Sequence, residues 1–251
     1  MSGFVPLLKA ARLLRERGHS VRLIINKPVR GRLGESCFQT VLWSGAAASV
    51  VSVAANASSL REWLEQAIFN PLDAYASDIG DEIRRRPTDI VLSNDTLFGA
   101  TLAAEAAGVP IALLSPEIQF LPRPVKGSNN LCSKPAMTSD EETAFTAIAN
   151  RWSELLNGFL PALNGARTKL GLNGLCDVMA LFDRADRILI PDAPDHRIPT
   201  RVLADNVRFV GPLRNDAGGS AENATPVRCL AHEIELTIAA HGHHDFRASP
   251  S

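Results

Sequence analysis

Apolar positions along this chain fall into short runs of four or five, separated by longer stretches in which apolar and polar residues recur at helical spacing. The clearest instance is PTDIVLSNDTLFGATLAAEAAGVPIALLS, residues 87–115. Ile90–Leu92 is an apolar run with polar residues on both sides, the pattern of a buried parallel strand over Asp89–Ser93. Leu97 to Ala107 is rich in Ala and Leu, and Gly108 stands where a helix would stop. Pro110 blocks continuation, and Ile111–Leu114 reads as the next strand. Strand, helix and strand in this order predict a right-handed βαβ unit. Asp95 then lies at the carboxyl end of a parallel strand, where open α/β sheets bind ligands.

The same alternation extends in both directions. Pro6 suits a first helical position, Gly18 ends that helix, and Val21–Ile25 is the strand after it. A doubly wound sheet should feed that helix from a preceding strand, and the five residues before Pro6 leave no room for one, so a first strand is expected to be missing. Thr40–Trp43 is a possible strand within an irregular stretch. Ser59 and Glu62 form an S-x-x-E capping box for a helix from Leu60 to about Phe69. Leu72–Arg86 is a further helix, its three closing arginines suited to a helix C-terminus. PEIQFLPRPVKGSNNLCSKP has four prolines in twenty residues and predicts a long loop. Thr138–Glu141 opens another helix towards Phe159, Pro161–Leu170 is a shorter one halted by Gly171, and Leu175–Arg184 is possibly helical. Arg187–Ile190 and Val207–Leu213 complete the strands. After Arg214 the composition is that of a linker and a tail, 214–251, expected to be disordered; CLAHEIELTIAAHGHHDFRASPS has room for a short helix but is expected to lack a partner strand or core.

Composition changes this picture little. With 251 residues, 45% of them hydrophobic, the chain can hold a real core, and a net charge of −1 offers no case for nucleic acid or an anionic membrane. No apolar run is long enough to span a bilayer. Cys37, Cys132, Cys176 and Cys229 form no CxxC pair, as expected of reduced thiols in a cytoplasmic protein.

Four blocks, VPLLKAARLLRERGHSVRLI, PTDIVLSNDTLFGATLAAEAAGVPIALLS, LNGARTKLGL with DRADRILIPDAP, and NVRFVGP, together resemble the N-terminal half of GT-B glycosyltransferases. The likeness is to the bacterial macrolide (antibiotic) glycosyltransferases within the UDP-glycosyltransferase group. It covers about Val5 to Leu213 and implies a Rossmann-like acceptor-binding domain over 1–213, lacking its first strand and the C-terminal donor domain. It also implies inverting transfer of a hexosyl group from a nucleotide sugar, a UDP- or dTDP-sugar, to a hydroxyl of a small lipophilic acceptor. The nucleotide sugar would be a co-substrate of the complete enzyme. This chain would bind no cofactor and no metal and would be inactive alone; the alternative is a stand-alone small-molecule-binding module, or a half-enzyme that pairs with a separately encoded donor domain. A premature end or frameshift after about Asn215 would account for the tail.

By the same resemblance Asp95 is the aspartate that orients a catalytic histidine and stabilises its charge. The histidine itself does not carry over: Ser2-Gly3-Phe4-Val5-Pro6 has glycine in its place, and His19 belongs to a helix–strand turn away from the cleft. Phe98, Glu117, Gln119 and Phe120 are candidate acceptor-binding residues. Each has a plainer reading beside it: Asp95 as a helix cap, Glu117 and Gln119 as solvated loop residues, Phe98, Phe120 and Leu121 as core. His232, His241, His243 and His244, with Glu233 and Asp245, match no metal-ligand spacing. Ser2-Gly3 lacks the further glycines of a phosphate loop.

Overall fold

The computed structural model describes residues 4–25, 38–44, 57–115, 150–191, 205–211 and 224–240. Six strands run parallel within two sheets. The larger has the order β3 (Val91–Asn94), β4 (Ile111–Leu114), β5 (Arg187–Ile190), β6 (Val207–Phe209). The smaller pairs β1 (Arg22–Ile25) with β2 (Gln39–Leu42). Among the described residues the doubly wound sheet is divided between β1 and β3, which are not ladder partners, as expected of a sheet lacking its first strand.

Strand alternation sends successive side chains to opposite faces, and each face has its own helical layer. Ile111, Leu113, Ile188 and Ile190 point into a core built from α2 (Leu60–Leu64), a π-helical turn (Glu65–Phe69), α3 (Leu72–Arg85), α4 (Phe98–Ala107) and α5 (Leu160–Lys169). Ala112, Leu114 and Leu189 point the other way, onto α1 (Phe4–Glu16) and α6 (Ala224–Ala240). The result is a three-layer αβα arrangement.

Local signals act where the sequence puts them. Ser59 Oγ accepts from Glu62 N–H at 3.2 Å, and Glu62 Oε2 reaches back to Ser58 N–H at 2.8 Å. Donation from the Ser58 hydroxyl and amide holds the Glu62 carboxyl below its ordinary value. Gly108 and Gly171 close α4 and α5 at φ 65° and 74°, a region costly for any residue with a Cβ. Helix α1 begins before Pro6 rather than at it. Residues 178–184 form a 3-10 helix rather than an α-helix over Leu175–Arg184. It starts late because Asn164 holds Leu175 through both main-chain groups and Asp177 Oδ1 caps Met179 N–H at 2.7 Å. The long proline-rich loop and the Thr138–Glu141 capping box lie outside the described residues.

The tail is the main correction. Residues 224–240 form a helix, and it has a partner. Ile234 and Ile238 join Ala10, Leu13 and Leu14 of α1 in one apolar cluster, with Thr237 buried between them. Glu235 takes Arg17 at 2.5 Å and His19 at 3.1 Å. The spacing 234, 237, 238 is one helical stripe, and the surface that covers it is a helix, not the strand the composition suggested was needed.

Tyr75, the single tyrosine of the chain, sits on α3 with its ring edge-on to Trp43 at 4.9 Å. Burial raises its phenol above the ordinary value of 10.0. Stability from this group is therefore whole below about pH 10 and falls as pH rises through the higher folded value. Tyrosinate absorbance at 295 nm reports this residue alone. Its midpoint should lie above 10 in the native chain and return to about 10 in denaturant; equal midpoints would contradict the burial.

Candidate functional site

Asp95 and Ser115 are the residues just past β3 and β4, and each is still held by the next strand. Asp95 N–H donates to Leu114 O at 3.1 Å, and Ser115 N–H to Leu189 O at 2.9 Å. Because Asn94 is in register with Leu114, the two following side chains stand side by side. Ser115 Oγ donates to Asp95 Oδ2 at 2.5 Å, a short charge-assisted contact. Asp95 is 5% exposed and Ser115 4%. Sequence reasoning singled out Asp95 and missed Ser115, although the strand register places it there.

Helix α4 begins directly after this pair. Its N-cap is Leu97, which makes no side-chain cap hydrogen bond, so the cap position falls two residues beyond Asp95. The helix therefore starts three residues past Asp95, at Phe98. On β3 itself, Ser93 Oγ and Asn94 Oδ1 are buried without a hydrogen-bond partner. The arrangement can accept a hydrogen bond or stabilise a neighbouring positive charge at the carboxyl ends of two adjacent strands.

Phe98 is 2% exposed and lies edge-on to Phe69 and Phe182 at 5.6 and 5.8 Å. Its place is the core, the plainer of its two readings. Glu117, Gln119 and Phe120, with Leu121, lie outside the described residues, as do Gly3, His241, His243, His244 and Asp245. His19 is in the turn before β1 and bonds Glu235. No helix among the described residues is long and apolar enough to cross a membrane.

Parallel strands between two helical layers, joined through a βαβ unit, define a Rossmann-like α/β domain. Its fold is that of the N-terminal domain of GT-B glycosyltransferases. No family model and no curated protein matches the chain. Solved structures do. The glycosyltransferase of kitacinnamycin superposes with a TM-score of 0.54 at 16% identity, over 86% of this chain and 51% of that one. The spinosyn forosaminyltransferase SpnP gives 0.52 at 13%, over 87% and 50%. Phytolacca americana UGT2, solved with UDP-2fluoro-glucose and pterostilbene, gives 0.42 at 13%, over 88% and 52%. The chain spans about half the length of these proteins.

Proposed function

We propose that this chain is the acceptor-binding half of a nucleotide-sugar-dependent glycosyltransferase, O-glycosylating a small lipophilic acceptor. The observation that carries the reading is the buried Asp95–Ser115 pair at the carboxyl ends of β3 and β4, on a fold shared with glycosyltransferases. In the reaction the acceptor hydroxyl oxygen bonds to the anomeric carbon while the bond from that carbon to the nucleoside diphosphate breaks. The hydroxyl proton passes to a base, and Asp95 stabilises the charge that develops there. Donor binding belongs to the other half, so the chain alone is inactive and transfers sugar only when paired with a donor domain.

The test is a two-half enzyme, with this chain complemented by a GT-B donor domain and assayed for nucleoside diphosphate release from a UDP-sugar. Asp95→Asn should lower turnover by about 10²-fold or more with its melting temperature kept. Unchanged turnover would refute the role of Asp95. Release by the chain without a donor domain would refute its dependence on one.

A further inference from the structure

Ladder bonds identify the backbone groups left open where the two sheets end. Val91 N–H donates to Pro110 O and Asp95 N–H to Leu114 O, so Val91, Ser93 and Asp95 turn their peptide groups towards β4. Leu92 and Asn94 therefore turn theirs away from it. On β1, Ile25 O accepts from Trp43 N–H, which assigns Leu23 and Ile25 to β2 and leaves Ile24 on the opposite edge. What joins the two edges is a side chain. Arg22 reaches from β1 to Glu82 at 3.0 Å, Pro87 O at 3.2 Å and the Thr88 hydroxyl at the foot of β3.

Burial agrees with an opening at this place. Val91, Leu92 and Asn94 are only half-buried although helical layers cover both faces of the sheet, whereas β4 beside them is buried throughout. Ser93 Oγ and Asn94 Oδ1 are buried without a partner, a cost that native interiors rarely bear. The order β2-β1 followed by β3-β4-β5-β6 is the doubly wound order 3-2-1-4-5-6 with no strand among the described residues at its central position, between β1 and β3.

The geometry points to a strand-binding slot between β1 and β3 that takes one extended, apolar peptide segment running parallel to both. The segment would continue the ladders of both sheets, its main chain pairing with Leu92 and Asn94 on one side and Ile24 on the other. Flanking strands of four residues set its length at about five. Leu92 joins the apolar cluster on the α1 face, while Ile24 and Val91 pack into the core beneath α3, so the segment must be apolar on both faces and β-branched by preference. It must also carry an N–H at every position, which excludes proline. The slot is independent of the glycosyl-transfer reading.

Amide hydrogen exchange on the full ¹⁵N-labelled chain tests it, with and without a lysine-flanked Val-Ile-Val-Ile-Val peptide. Exchange at Ile24, Leu92 and Asn94 should slow by about tenfold or more at saturation, with the outer edges of β2 and β6 unchanged. The same peptide N-methylated at alternate amides should have no effect. Three results would overturn the proposal: no slowing at those amides, slowing at the outer edges instead, or a chain that is molten alone and stays so with peptide. Protection of the same amides by raising the chain's own concentration would assign the slot to a second copy, and would overturn it too.

Discussion

Arg167→Ala should lower the unfolding free energy by about 3–5 kcal/mol, the usual cost of removing one partner from a buried ion pair. Arg167 is 1% exposed, and its guanidinium grips Glu105 of α4 with two bonds of 2.7 and 2.8 Å. Its Nε donates to Asn173 O at 2.7 Å, so the fork is satisfied in place and ties α5 and the turn after it to α4. Truncation would leave the Glu105 carboxylate with only Arg184, at 3.8 Å, and open a void beside it. Urea unfolding measures the loss. Arg167→Met combined with Glu105→Leu should recover most of it, since apolar replacement of both partners removes the charge left behind. A loss below about 1 kcal/mol in the single variant would mean that the pair is no anchor.

Gly99→Ala should cost about 1–3 kcal/mol and Gly99→Val more, through overpacking. A Cβ at Gly99 would stand 2.6 Å from Tyr75 Cβ and 2.9 Å from both Ala76 N and Leu72 O. Two of these atoms are main chain and cannot rotate aside, so α3 and α4 would have to separate. Ala100, Ala103 and Ala104 of the same helix are buried as well, so the layer has little room to give. Chemical denaturation read through Trp43, which touches Tyr75, would show the loss together with a changed fluorescence of the native state. A Gly99→Ala chain as stable as the parent would contradict the packing described here.

How far the sequence alone carried depends on the range of each interaction. β4 and β5 were legible to the residue because Ile111–Leu114 and Arg187–Ile190 are apolar runs with clear ends. Gly108 and Gly171 marked helix ends through backbone sterics, which are local. Asp95 was legible from topology. Ser115 was not noticed, though it follows from the same register. The Arg167–Glu105 pair was beyond reach: its partners stand 62 residues apart on helices whose mutual placement no spacing encodes. The docking of the tail helix was missed for a related reason. Its apolar stripe is short, and the surface that receives it, on α1, lies more than two hundred residues earlier.

That docking of α6 on α1 sets the order in which the chain can become a protein. The Arg17–Glu235 bond spans 218 residues, so the layer that covers Ala112, Leu114 and Leu189 cannot close until nearly the whole described chain has been synthesised. The other layer's core draws on residues 64–207 and can form before residue 234 is made. During translation one side of the sheet is thus sealed early while the other stays open to water and to other chains. At ordinary synthesis rates of about 5–20 residues per second that interval lasts roughly one to five seconds, time enough for chaperones or for aggregation.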